Sequence, residues 1–318
     1  MLSGVKPTGR PHIGNYFGAM KQYVDLQDQY QSLVMIADYH ALTSTQEAAI
    51  LRADILDLAI DFLAIGLDPE KVTIFQQSAV GEHTELGWIF NCLTTMPYLA
   101  RAHAYKDAAA NNREVNVGLF DYPLLMAADI LLYDTAVVPV GQDQKQHVEI
   151  ARDTAEKFNR LFGETFRLPE PLILSTVQTV IGLDGRKMSK SYRNTIPLFA
   201  PAEETARLVM SIKTDSKGES EPKDPEQCGV FALHQLFSQN DLPELRRRYL
   251  EGGIGYKESK EILARNMNAY LAPLRERREA IAANPAAVKK ILERGGESAR
   301  ALAAAKMCLV RERIGVIL

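Results

Sequence analysis

The stretch Ser3-Gly4-Val5-Lys6-Pro7-Thr8-Gly9-Arg10-Pro11-His12-Ile13-Gly14-Asn15 decides how the rest of the chain is read. A short apolar start gives way to a loop of Pro and Gly, and His12 then opens a helical run through about Gln27. Strand, turn and helix in that order aim a helix N-terminus at a ligand. Such a terminus presents unpaired N–H groups and a partial positive charge, so it suits a phosphate or another anion. Gly14 leaves room for a flat base against the backbone, while His12 and Asn15 supply donors one turn apart. Without a second motif, a Pro/Gly loop before a helix is more often a structural turn than a site.

Working outward, Ser32-Leu33-Val34-Met35-Ile36-Ala37 is a continuous apolar run, as expected of a buried parallel strand. It ends in Asp38-Tyr39-His40, where open α/β sheets bind their ligands. Residues 46–66 read as an amphipathic helix closed by a glycine, and 72–75 as the next strand. This β-α-β-α-β rhythm implies right-handed crossovers and an α/β, Rossmann-like parallel-sheet nucleotide-binding domain. No GxGxxG accompanies it, which argues against a dinucleotide.

The rhythm breaks at about 81–117 into short helical pieces, read as an inserted connecting segment. A helix over 118–133, a strand over 136–140, a helix over 143–162 and a last strand at 172–174 follow. Beyond Tyr192 the pattern is all-helical: 202–212, 229–237, 242–249, 257–283 and 285–316, with 214–226 an exposed connection. The expected organisation is a catalytic domain over 1–192 and an all-helical C-terminal domain over 193–318, whose last helix is available to pack back on the catalytic domain.

With 318 residues, 46% hydrophobic and 24% charged, the chain can build two cores. No apolar run reaches the roughly 18 to 20 residues of a membrane span, and no signal peptide opens the sequence. Cys92, Cys228 and Cys308 form no CxxC pair. Neither a zinc site nor a disulfide framework is therefore expected, and a reduced, cytoplasmic setting is. The net charge of −3 excludes a basic coat for nucleic acid, although 21 Lys+Arg against 17 Asp+Glu from Arg193 onward leaves the back half mildly basic.

Lys187-Met188-Ser189-Lys190-Ser191 follows Gly182-Leu183-Asp184-Gly185. Two ammonium groups three residues apart can surround a triphosphate, and flanking glycines let the loop move. An isolated KxxK would be a solvated basic turn. At Gly141-Gln142-Asp143-Gln144 a strand gives way to a helix, so Asp143 can hold ribose hydroxyls or cap the helix.

Tyr122, Met126, Asp129 and Tyr133 share one face of an otherwise apolar helix. A carboxylate there is costly unless it accepts hydrogen bonds, from protein donors or from a ligand. His83, His103, His147 and His234 have no partner readable from the sequence, and His40 is better placed at its strand end. The runs 246–248 and 275–278 are solvated helix faces by default, with RNA-backbone contact the minority reading.

The opening stretch and the lysine loop together resemble the two signatures of class I aminoacyl-tRNA synthetases. Over nearly its whole length the chain resembles the bacterial tryptophanyl family, in Ser3 to Tyr16, Ile36 to Thr43, Glu82 to Trp88, Tyr122 to Tyr133, Val138 to Glu149 and Asp184 to Asn194. The resemblance implies that Asp129 accepts the indole N–H and that Tyr122 and Gln144 hold the substrate amine. It places His40, Met126, Val138 and Val140 around the amino-acid pocket.

For ATP it implies Lys6, Pro7, Thr8, Gly14, Asn15, Gly141, Gln142, Asp143, Ile181, Lys187, Met188, Ser189, Lys190 and Ser191. His12, Asn15, Lys187 and Lys190 act in catalysis. It further implies ATP with Mg²⁺ as the substrate complex, no tightly bound cofactor or metal, tRNA(Trp) and L-tryptophan as partners, anticodon binding by the helical domain, and a homodimer with much of its contact in the insertion. Lys6 departs from the pattern, since many members carry Gln there. A tyrosyl enzyme and a non-catalytic paralogue that binds nucleotide or RNA remain as alternatives.

Overall fold

The computed structural model describes residues 1–102, 116–141, 144–173 and 179–317. β1 (Leu2–Val5), β2 (Ser32–Ile36) and β3 (Val72–Gln76) form a parallel sheet in that order, with Leu2 opposite Leu33 and Ser32 opposite Val72. Every residue of β2 is buried, which is why its sequence runs apolar without alternation. A second parallel pair joins β4 (Val137–Pro139) to β5 (Glu170–Leu172). The last strand thus starts before the expected 172–174, and Leu174 lies outside the described residues.

The opening helical run comprises α1 (Ile13–Asn15), a π-helical segment (Tyr16–Met20) and α2 (Lys21–Leu26). Between strands come α3 (Asp38–Ala41), α4 (Ala48–Ala64), α5 (Glu82–Leu93), α6 (Met96–Leu99), α7 (Val117–Leu131) and α8 (Lys145–Phe162). The helical pieces expected over 81–117 are α5 and α6, and residues 103–115 of that segment, with His103, lie outside the described residues. Leu86 and Phe90 of α5 and Leu124, Ala127, Ala128, Ile130 and Leu131 of α7 join strand residues Leu33, Met35 and Phe75 in one core. After Tyr192 come α9 (Ala202–Met210), α10 (Gly229–Phe237), α11 (Leu242–Glu251), α12 (Tyr256–Ala282) and α13 (Pro285–Arg313).

The described chain divides into two compact units whose segments alternate along the sequence, where the sequence suggested one boundary after Tyr192. The first comprises Met1–Gly9, Gln22–Ser175 and Asn284–Leu318; the second comprises Arg10–Lys21 and Thr176–Ala283. α13 therefore belongs with the sheet. Its Ala299, Ala303, Met307 and Val310 lie in the first unit's core, and Arg311 pairs with Glu85 of α5 at 2.5 Å. Gly295 explains how a helix can lie so close to a strand: a Cβ there would fall 1.9 Å from the Ile74 carbonyl oxygen. Only glycine permits that approach. Phe231, Leu245, Tyr249 and Ile254 form a separate core in the second unit.

Candidate functional site

In the second unit His12 caps α1 reciprocally with Asn15. The Asn15 N–H donates to His12 Nδ1 at 3.3 Å, and Asn15 Oδ1 accepts the His12 N–H at 3.2 Å. An Nδ1 that accepts carries no proton, so the ring proton sits on Nε2 and can be donated. Burial, followed by the positive charge of Lys190, lowers the His12 pKa to about 4. The imidazole is neutral at physiological pH.

A Cβ on Gly14 would lie 2.8 Å from His12 Nδ1 and 3.3 Å from the Met188 Cβ. The missing side chain thus leaves space for the capping ring and for the lysine loop, in addition to any room for a base. The His12–Pro197 bridge, with Ile13 N–H donating to the Ile196 carbonyl at 3.0 Å, joins this loop to the chain beyond the lysines.

The lysine loop is a hairpin. Ile181 and Lys187 pair antiparallel, the Gly182 N–H donates to the Arg186 carbonyl at 2.7 Å, and Met188 N–H to Val180 at 2.8 Å. Met188 is buried, whereas Lys187, Lys190 and Ser191 are exposed. Asn194, buried behind the turn, donates to Asp184 Oδ1 at 2.6 Å and to the Lys187 carbonyl at 3.1 Å, and accepts the Ser189 N–H at 2.8 Å. A Cβ on Gly182 would strike it at 2.4 Å. The Asn194 bond, with help from Arg186, holds the Asp184 carboxyl at about 2 against the opposing effect of desolvation. Asn194 was not among the expected site residues, although it closes the Asp184 to Asn194 stretch of the resemblance.

In the first unit Asp129 is 3% exposed and surrounded by donors. His40 Nε2 lies 2.8 Å from Oδ2, and Gln77 Nε2 donates to Oδ1 at 2.8 Å. His83 Nδ1 is 2.7 Å from the same Oδ1, with its N–H directed off the line to that oxygen. Burial pushes the carboxyl up, but the His40 and His83 imidazoles outweigh it and hold the group well below the usual carboxylate range. Asp129 therefore stays ionised inside a core.

Gln77 and His83 escaped the sequence reading because the topology, and no spacing, brings them to Asp129. Gln77 follows β3 and His83 opens α5. Asp38 has a structural use: it accepts from Gln76 Nε2 at 2.7 Å and from the Ser78 N–H at 2.9 Å, tying the ends of β2 and β3.

His40 and Tyr122 line a cavity of about 210 Å³ together with Thr43, Gly87, Trp88 and Leu125. Burial pushes the Tyr122 phenol up to about 12, and its hydroxyl lies 2.6 Å from His147 Nε2. Lys6 Nζ reaches Thr43 Oγ1 at 3.5 Å and stands 5.5 Å from the Tyr122 ring centre. Although Lys6 is solvent-accessible, the protein around it lowers its pKa by desolvation. Val138 is in the first unit's core, with Met126 and Val140 packed against it.

Pro7 is buried and Thr8 exposed in a loop anchored by Gly9 N–H to Asp54 Oδ2 at 2.9 Å. The Gln144 N–H donates to the Gly141 carbonyl at 2.9 Å at the start of α8, while Gln142 and Asp143 lie outside the described residues. Among the described residues no three His, Cys, Asp or Glu gather to hold a metal ion, and no helix is long and apolar enough to cross a membrane.

The arginine run 246–248 is spent inside its own unit, on Glu226, on Glu244 and Glu251, and on Glu258. In the 275–278 run, Arg275 donates to Thr205 and Asn268, and Arg278 stands over the Phe199 ring.

A family model described as tRNA synthetases class I (W and Y) matches residues 1–272. The chain is 48% identical over 318 residues to the tryptophan–tRNA ligase of Fusobacterium nucleatum, covering 99% of this chain and 98% of that protein. To the ligase of the same name from Rhodopirellula baltica it is 45% identical, covering 99% of each. Among solved structures, the tryptophanyl-tRNA synthetase of Campylobacter jejuni complexed with ADP and tryptophan superposes with a TM-score of 0.92 at 47% identity, covering 99% of both chains.

Proposed function

The chain belongs to the class I tRNA synthetases of the W and Y group, and we propose that it activates L-tryptophan with ATP and transfers the product to tRNA(Trp). A tryptophan carboxylate oxygen attacks the α-phosphorus, the bond to the β-phosphate bridging oxygen breaks, and diphosphate leaves. A ribose hydroxyl of the terminal adenosine of tRNA then attacks the carbonyl carbon of tryptophanyl-adenylate, and AMP leaves. No side chain forms a covalent intermediate. Acceleration comes from orientation and from fixed charges that meet charge developing on the phosphates.

Asp129 carries the choice of amino acid. The family admits tryptophan and tyrosine, and a buried, ionised acceptor suits an indole N–H, which only donates. A phenol brings lone pairs as well, and the nearby donors His40 and Gln77 are already turned on Asp129. Tyr122 and Gln144 serve the substrate amine, and His40, Met126, Val138 and Val140 the rest of the pocket.

On the phosphate side, neutral His12 offers Nε2–H, Asn15 and Gly14 form the helix start, and Lys187 and Lys190 bring positive charge, with Ile181, Met188, Ser189 and Ser191 completing the loop. Lys6, Pro7, Thr8, Gly141, Gln142 and Asp143 attend the remainder of the nucleotide. Mg²⁺ would arrive with the triphosphate as part of the substrate and offset some of its charge. α9 to α12 contact the anticodon. Trp88, Met96 and Val117, all exposed apolar side chains, support a homodimer contact. The reaction belongs to the cytoplasm.

ATP–pyrophosphate exchange with each amino acid in turn tests the reading. Tryptophan should support exchange, with tyrosine and phenylalanine far behind. Tyrosine-dependent exchange, or none with any amino acid, would reject it.

A further inference from the structure

The three donors on Asp129 are unevenly divided. Oδ1 has both Gln77 Nε2 at 2.8 Å and His83 Nδ1 at 2.7 Å, whereas Oδ2 has, among the described residues, His40 Nε2 alone at 2.8 Å. A carboxylate oxygen offers two lone-pair sites; on Oδ1 Gln77 takes one and the His83 ring stands against the other, its N–H off the line to the oxygen, so the less crowded oxygen is Oδ2. Gln77 and His83 are wholly buried, while His40 lines the cavity of about 210 Å³. The open acceptor site is thus on the oxygen whose partner faces the cavity.

We propose that Gln77 and His83 are specificity-determining positioning residues: by occupying Oδ1 they present Oδ2 of Asp129 to the substrate and so set the preference for an indole N–H over a ring that lacks it. This rests on the reading of Asp129 as the indole acceptor. The terminal torsion of an aspartate is broad and two-fold, so the carboxylate plane is fixed only if something behind it holds one oxygen. Gln77 does so at a cost to itself, since its own Oε1 is buried without a partner among the described residues.

His83 stacks on Phe75, with ring centres 6.2 Å apart, and its Nε2 lies 2.9 Å from the Tyr133 hydroxyl. A Tyr133 O–H donated to Nε2 leaves the proton on Nδ1, the tautomer that can face a carboxylate. Tyr133 thereby orients His83, and His83 helps to hold Asp129. Gln77 has the better-aligned bond and the larger part.

The test compares kcat/KM in pyrophosphate exchange for tryptophan and for its benzothiophene analogue, which has sulfur in place of the N–H. Gln77→Leu should lower the value for tryptophan by about 10- to 100-fold, as expected when a donor to a buried charged acceptor is removed. The analogue, which makes no such bond, should fall only a few-fold, and the tryptophan loss should appear mainly in KM. His83→Leu should act in the same direction but less. His83→Asn, whose amide nitrogen can take the place of Nδ1, should restore most of the ratio.

An equal loss for both substrates, or wild-type discrimination that survives Gln77→Leu and His83→Leu in folded protein, overturns the proposal. If Gln77→Leu does not fold, the His83→Leu and His83→Asn pair decides by the same ratio. Absence of tryptophan-dependent exchange in the wild type would overturn the functional reading, and the proposal with it.

Discussion

Asp129 and the lysine pair show two ways of placing a charge. Asp129 is sealed in a core, with both carboxylate oxygens engaged by side chains from three separate elements. Lys187 and Lys190 reach solvent from a hairpin whose backbone is pinned by Asn194. A buried charge whose desolvation is offset by fixed donors can reject a substrate that fails to pair with it. An exposed ammonium on a long stem can follow phosphate oxygens as charge moves among them. Selectivity calls for the first arrangement and rate for the second.

The largest effect should come from breaking the second arrangement. Lys190→Ala should lower kcat for activation by about 10² to 10³, the scale for loss of one group that stabilises developing charge, while tryptophan affinity changes little. Single-turnover adenylate formation beside equilibrium tryptophan binding separates the two quantities. Equal losses in both would place Lys190 at the amino acid instead.

The frame that holds Asp129 is tested by Gly295→Ala. A new methyl 1.9 Å from the Ile74 carbonyl oxygen must push α13 off β3, and overpacking of this kind costs about 1–3 kcal/mol. Denaturant unfolding followed by fluorescence of Trp88, the chain's one tryptophan, should show a lowered midpoint. An unchanged midpoint would mean that α13 is not seated on the strand as described.

Asn194→Ala sharpens the contrast on the loop side. It leaves the Asp184 carboxylate and the Ser189 N–H without this partner, so the hairpin should lose order and kcat should fall by about 10-fold, a typical loss for one such donor. The KM for tryptophan should stay near the wild-type value, and a rise in that KM equal to the fall in kcat would count against the assignment.

The smallest effect is a difference in acid sensitivity. His12 and the buried His234 both have folded pKa values lowered to about 4, chiefly by burial, below the unfolded value of about 6.5. The unfolded chain therefore takes up these protons first. Stability of the second unit should be insensitive above pH of about 6.5 and fall as pH drops toward about 4. Asp129 works in the same sense but in a lower window: its folded pKa is depressed, so its contribution is complete above the ordinary carboxylate value and is lost progressively as pH falls below it. Thermal unfolding followed by Trp88 fluorescence for the first unit and by helical circular dichroism for both should separate on acidification, less so in His12→Asn. Coincident transitions at every pH would contradict this.

The sequence made the fold legible where local pattern suffices. Buried strands are largely apolar, and β2 and β3 lie within a residue of the runs that announced them. The place of α13 was not legible, because a Gly-Gly pair inside a long helix does not say which strand it will touch; only the approach to Ile74 shows why Gly295 is there. Within the site, the motifs on continuous stretches were readable, as were the lysines and the His12–Asn15 cap. Asn194, Gln77 and His83 were not, because each acts on a partner brought to it by chain reversal or by sheet topology.

The central claim is that Asp129 selects tryptophan by accepting its indole N–H. Asp129→Ala would strand three donors, so Asp129→Asn is the cleaner probe. With kcat/KM measured in pyrophosphate exchange for tryptophan and phenylalanine, the tryptophan value should fall by the equivalent of about 1.5–3 kcal/mol, that of a charge-assisted bond. Phenylalanine, which has no N–H to offer, should fall much less, and the ratio should narrow. An unchanged ratio in folded protein would contradict the account and leave Asp129 a structural residue.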